Sequence, residues 1–208
     1  MDVLNIFSDD NTIKKIQSKL PYLFQLAEVD NSRDGKLGME IGSTRERIII
    51  ALLIHKFGEE NVKTDNAITQ TEVDVIAFDN AISIKTITGK RINGIKLIWT
   101  VDSIKAKLFT TEYYPGCDMI LVHINWGGIG YFYYIPQIVQ IETLTSLGRD
   151  RYFNLPKQGT NPRGVEMSRA AIDEIVTNSG ISKIEIDWIR KDIKYNPYER
   201  WVDHWEGD

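Results

Sequence analysis

The stretch Thr71–Thr86 constrains this chain more than any other. Val73, Val75 and Ala77 alternate with Asp74 and Ile76, and after Asp79-Asn80 the residues Ile82 and Ile84 alternate with Ser83 and Lys85. Period-two alternation on both sides of a turn dipeptide predicts two short strands folded back on each other. A slip of one residue would send Asp74 or Lys85 to the opposite face, so their juxtaposition is specific to one register. With Asp79-Asn80 at a tight turn, Asp74 and the pair Ser83 and Lys85 emerge at the same end of the ribbon. A carboxylate and an amine held together on a sheet can place a divalent cation and a water-orienting charge beside one phosphate.

Asp74 followed by Ser83-Ile84-Lys85 resembles the core of the PD-(D/E)xK nucleases, with Ser83 standing where that family more often has Asp or Glu. Gly42-Ser43-Thr44-Arg45-Glu46 opens an amphipathic helix, as the family's first helix does with its acidic residue. The likeness runs from about Gly38 to Pro136. It implies an α/β fold: a restriction-endonuclease-like core with a mixed central β-sheet flanked by helices, extended by C-terminal α/β additions. It also implies Mg²⁺ as cofactor, held by Asp74 and the backbone carbonyl of Ile84, with Lys85 serving the attacking water. Ser83 is the departure, because a neutral hydroxyl binds Mg²⁺ weakly and magnesium favours carboxylates. Glu46, or in its place Glu72 or Glu40, would make up the missing charge. Whether one or two ions bind stays open. The expected catalytic set is Asp74, Ser83, Lys85 and Glu46, and the expected metal set is Asp74, Ile84 through its carbonyl, and Glu46.

Plainer readings stand beside these. Asp74 and Lys85 would also make an ordinary cross-strand pair worth under ~1 kcal/mol. Glu46 would equally serve in a salt bridge, and the fold would survive a loss of catalysis at Ser83. His55, His123 and His204 are scattered without zinc-ligand spacing. Trp126-Gly127-Gly128 lacks the Lys-Ser/Thr of a phosphate loop and reads as a hairpin connection.

A chain of 208 residues accommodates a single nuclease domain, with the catalytic core at about 38–136 and recognition or dimerisation additions at about 137–208. The one cysteine, Cys117, cannot form an intramolecular disulfide and suits a reducing compartment. No apolar run approaches the ~20 residues of a membrane span, and the N-terminus lacks a secretory pattern. The expectation is a cytoplasmic protein with no membrane association.

Net charge is −4, but its distribution is uneven. Acids outnumber bases before Asn80, whereas Lys85, Lys90, Arg91, Lys96, Lys105 and Lys107 face only Asp102 between Ala81 and Lys107. A second basic run lies between Arg149 and Arg169. Local positive charge of this kind suits a phosphate-binding groove, although two solvated polar segments would look alike. Lys90, Arg91 and Asn93, together with Lys157, Gln158, Thr160, Asn161 and Arg163, are the expected DNA contacts, since Arg and Asn can read base edges bidentately.

The residues beyond a minimal nuclease favour a type II restriction endonuclease acting on double-stranded DNA at a short palindrome, as a homodimer with one site per subunit. Within that class the chain is similar in texture to the group containing ThaI, from which no residue is carried over. The other classes left open are a structure-selective repair or recombination nuclease and a non-catalytic DNA-binding module.

Elsewhere, periodicity predicts helices over Asn11–Val29 and Ser43–Phe57, the latter capped by Ser43 or Thr44 and ended by Gly58. Thr100-Val101-Asp102-Ser103 opens another, with Ile104 and Leu108 on its buried stripe. Strands are expected at Met119–Ile124, Tyr131–Ile135 and Ile184–Trp188, and a helix after Ser168. Tyr198, Trp201, Val202 and Trp205 at helical spacing would serve either a dimer contact or the core.

Overall fold

The hairpin around Asp74 lies within a six-stranded sheet in the computed structural model, which describes residues 2–33, 36–37, 40–64, 72–155, 164–196 and 198–206. Helix α1 (Asp10–Asp30) starts at Asp9, whose carboxylate accepts from the Asn11 N–H. Pro21 lies inside α1 without ending it. A small ribbon of β1 (Ser32–Arg33) and β2 (Lys36–Leu37) leads to α2 (Ile41–Phe57). There follow β3 (Val62–Lys63), β4 (Val75–Ala77), β5 (Asn80–Thr88), β6 (Gly94–Ile98) and α3 (Ser103–Glu112). Next come β7 (Asp118–Ile124), β8 (Ile129–Ile135), α4 (Gln137–Leu147), α5 (Arg149–Tyr152) and β9 (Phe153–Asn154). The chain closes with β10 (Val165–Ser168), α6 (Arg169–Thr177), β11 (Ser182–Asp187) and α7 (Glu199–Glu206).

The sheet runs β11-β8-β7-β5-β4-β3, with β5 and β7 parallel and every other pair antiparallel. The parallel pair needs the crossover that the sequence predicts from Ile82 to Ile124. Within that crossover β6 leaves the central sheet and pairs with β10, which also pairs with β9. The period of two divides the side chains between the faces. Ile82, Ile84, Ile120 and Val122 pack with Phe24 of α1 and Ile49 and Leu53 of α2, whereas Met119, Leu121 and Tyr133 pack with Tyr152, Met167 and Ile172. The fold is thus a mixed sheet flanked by helices, and β11, from the C-terminal part, forms one of its edges.

Several local expectations are corrected. The hairpin turns at Phe78-Asp79, one residue earlier than expected, with φ of 51° and 64° at those positions. Both central residues are left-handed, as a two-residue hairpin of this twist requires, and the ring of Phe78 packs edge-on against Phe57 at 4.9 Å. Asn80 is already paired with Ala77. Helix α2 begins two residues before Ser43, with Glu40 at its N-cap and no side-chain cap, so Ser43 and Thr44 lie inside the first turn. Asp102 is the N-cap of α3 and accepts from the Ile104 and Lys105 N–H groups. The buried residue of α3 is Ala106, and Ile104 and Leu108 face solvent. Tyr198, Val202 and Trp205 are exposed, which removes them from the core. Helix α4 and strands β9 and β10 carry no expectation from the sequence.

Candidate active site

The Asp74 side chain takes over where the β4 backbone leaves the ladder. Val75 is the pairing partner of Ile82, yet the Asp74 N–H also donates to the Ile82 carbonyl at 2.9 Å. Two residues opposing one is a bulge, and it ends the regular pairing there. The next β5 donor facing that side is the Ile84 N–H, and it donates to Asp74 Oδ2 at 2.5 Å. The Ile84 carbonyl turns the same way as its N–H, beside the Asp74 carboxylate.

Three groups converge on Asp74. The Ser83 hydroxyl donates to Oδ2 at 3.4 Å, and the Lys85 Nζ stands 3.8 Å from the same oxygen. Ser83 and Lys85 lie on the Met119 and Leu121 face of the sheet, as the register Ser83↔Met119 and Lys85↔Leu121 requires. Ser83 is buried and forms the floor under Asp74, whereas Lys85 is half-buried and lines a cleft of about 960 Å³. Among the described residues all the hydrogen bonds to Asp74 fall on Oδ2, so Oδ1 retains its acceptor capacity.

Glu46 comes from the other side. The first turns of α2, Ile41 to Glu46, line the same cleft as Ile84 and Lys85. The Glu46 carboxyl is held above its ordinary range by burial first and by the Asp74 charge second, with Lys85 and Arg47 opposing. A half-buried acid whose ionisation is opposed by burial and by a neighbouring carboxylate marks a site that gains from a cation. The alternatives, Glu72 and Glu40, do not line the cleft. Glu72 accepts from the Tyr113 hydroxyl and, at 3.4 Å, from the Gly116 N–H. Glu40 is an exposed residue at the helix start.

The donors present fit a hard divalent ion: two carboxylates and a backbone carbonyl, with water and phosphate oxygens to complete the shell. No cluster of three or more His, Cys, Asp or Glu able to bind a metal occurs among the described residues.

The shift at Glu46 has a measurable consequence. A carboxyl whose folded pKa exceeds its unfolded value contributes stability below the unfolded value, and this is lost as pH rises through the folded one. Without metal, Glu46→Gln is therefore expected to melt above the wild type near pH 8 and to converge with it at acid pH, where the wild-type carboxyl is protonated. Equal melting temperatures at pH 8 would contradict the buried placement of Glu46.

Behind α2 lies a polar network that the sequence did not reveal. The buried Glu28 of α1 accepts from Arg45, from Arg190 at 2.6 Å and from the Trp126 indole at 2.9 Å. Arg45 also donates to Thr88 Oγ1 at 3.1 Å, at the end of β5. Burial works against the Arg45 charge and Glu28 sustains it. This network ties the α2 turn that carries Glu46 to the strand that carries Lys85.

Lys90, Arg91 and Asn93 are exposed in the turn between β5 and β6, which leads into the cleft wall without lining it. Lys157, Gln158, Thr160, Asn161 and Arg163 lie outside the described residues. Lys96 and Lys105, counted in the sequence only as part of a basic run, do line the cleft, together with Trp99, Leu108 and Glu166. Cys117 is buried at the start of β7, with its thiol pushed up to about 12 chiefly by burial, and is unsuited to nucleophilic work. No helix among the described residues is long and apolar enough to cross a membrane.

Comparison with known proteins gives a concordant result. Residues 6–207 match the family described as restriction endonuclease ThaI. A solved structure described as a restriction endonuclease in complex with substrate DNA is similar at a TM-score of 0.91 and 54% sequence identity, covering 97% of this chain and 97% of that one. No curated protein matches the chain.

Proposed function

The chain belongs to the ThaI family of restriction endonucleases, and from that premise we propose that it cuts both strands of a short palindromic duplex in a Mg²⁺-dependent reaction at Asp74, Lys85 and Glu46. A type II restriction enzyme is a site-specific nuclease. The observation that carries the assignment of residues is the approach of Lys85 to Asp74 Oδ2 at 3.8 Å, with Lys85 and Glu46 both lining one cleft.

Asp74, Glu46 and the Ile84 carbonyl would hold the Mg²⁺. When bound, the ion supplies neutralisation of phosphate charge and a lowered pKa for a coordinated water. Lys85 orients the attacking water and balances the charge that develops on the phosphate oxygens. Ser83 fixes the Asp74 carboxylate from below and is a positioning residue in this scheme. The Ile84 N–H does the same from the strand edge, so the carboxylate is aimed before substrate arrives.

All 208 residues would act as one nuclease unit in the cytoplasm. Lys90, Arg91 and Asn93, with the 157–163 segment, would contact the DNA. Two copies would meet on the duplex two-fold, since one site per chain cuts one strand. The exposed Tyr198, just before α7, and Val202 and Trp205 of α7 offer apolar side chains for that contact.

Digesting a plasmid of known sequence with Mg²⁺, and again with EDTA, tests the proposal, while sedimentation counts the chains per duplex. Discrete, reproducible fragments only with Mg²⁺, and two chains per duplex, are expected. A smear or a preference for branched DNA would replace the proposal with a repair nuclease. A gel shift without cutting would leave a binding module, and one chain per duplex would remove the dimer.

A further inference from the structure

The cleft has a side that the catalytic residues leave unexplained. Strand β6 supplies Lys96 to its lining, Trp99 joins it directly after that strand, and helix α3 supplies Lys105 and Leu108. Trp99 is 72% exposed, although indole is among the costliest groups to leave in water. Lys96 Nζ lies over its ring at 4.1 Å and is also paired with Glu166 at 3.4 Å. The pair of contacts holds the lysine along the ring, so that an aromatic plane and a fixed cation face the cleft together.

We propose that Trp99 is a duplex-gripping residue, with its indole packed against a deoxyribose while Lys96 and Lys105 contact the flanking phosphates. This rests on the nuclease assignment above. Whatever reaches Lys85 enters the cleft that Trp99 also lines. The occupant is DNA because the lining cations, Arg45, Lys85, Lys96 and Lys105, exceed the lining acids, Glu46, Glu112 and Glu166, even with Lys85 and Lys96 paired to Asp74 and Glu166. A polyanion suits that balance, where a second protein copy would have to desolvate all of these charges. A flat aromatic surface beside cations is also the pairing that sequence-tolerant nucleic-acid contacts use. The contact would therefore add affinity at every site and leave the choice of sequence to other residues.

The test measures binding of a fluorescein-labelled duplex, cut from a digested plasmid to include one cleavage site, in EDTA so that no cleavage occurs. Trp99→Ala is expected to weaken binding about 10- to 100-fold, in line with the loss of one aromatic contact, with unchanged thermal melting because the side chain is exposed. Trp99→Phe should recover most of the affinity. Lys96→Ala should flatten the dependence of log K on log salt by about one phosphate contact. Iodide should quench the Trp99 share of emission, defined by difference from Trp99→Phe, in the free protein but not in the complex.

Affinity of Trp99→Ala within twofold of wild type, or an indole still quenched in the complex, would overturn the proposal. So would shielding of Trp99 in DNA-free protein as its concentration rises, which would make a second copy the occupant. Failure of the wild type itself to bind any duplex would instead remove the nuclease assignment, and this inference with it.

Discussion

Asp74→Ala is expected to lower the rate of DNA cleavage about a thousandfold or more while duplex binding in EDTA holds or tightens. The first effect follows from the role proposed for the carboxylate: the Ile84 N–H and Ser83 fix it beside Lys85, where charge would develop in the transition state, and interactions confined to the transition state appear in kcat. The second follows from charge, because Asp74 repels phosphate when no cation is bound. Lys85→Ala should also lose about two to three powers of ten in rate, with binding weakened only by one phosphate contact. Asp74→Asn separates chemistry from structure. It keeps an acceptor for the Ile84 N–H, so it should melt close to wild type yet remain as inactive as the alanine variant. Single-turnover cleavage measured beside thermal melting decides the matter. Normal turnover by Asp74→Ala would end the assignment of the whole site.

The other large effect is structural. Arg45→Met removes the guanidinium from the Glu28 network and leaves a buried carboxylate with Arg190, which is half in water, and the Trp126 N–H. Breaking one side of a buried pair costs about 3–5 kcal/mol. At this chain length that is of the order of ten degrees in melting temperature. Urea unfolding should show the loss as a lower midpoint with an unchanged slope. Adding Glu28→Leu should restore part of the stability, since it removes the stranded charge, while Arg190 turns to solvent. A double variant that is no better than Arg45→Met would mean that Glu28 is not the cause. Cleavage should fall in both variants, because the α2 turn bearing Glu46 loses its tie to Thr88.

What the sequence determined by itself is local and periodic. Strand alternation has a period of two, so Ser83 and Lys85 had to share one face of β5, and the hairpin, with its turn at Phe78-Asp79, returns Asp74 beside them at the end of β4. The parallel return of β7 followed from the length of the segment between Ile82 and Asp118. Glu46 was only half determined. Its place on the flank of α2 suited either a metal shell or a salt bridge, and it is docking of α2 on the sheet that put it near Asp74 and Lys85.

Tertiary structure alone decided the rest. Glu28, Arg45 and Arg190 meet from three separate parts of the chain, and Glu72 bonds Tyr113 just beyond α3. Helix α4 escaped notice because its buried side includes Gln140 and Thr143 while Ile138 is exposed. Gln140 is buried because it donates to the Cys117 carbonyl at 3.0 Å, a partner no periodicity encodes. Ile104 and Leu108 lie on the open side of α3 because that helix docks through the small Ala106. Short-range alternation depends on backbone geometry, which each residue carries with it. Burial and ion pairing depend on what arrives from elsewhere in the chain, and only the folded molecule supplies that.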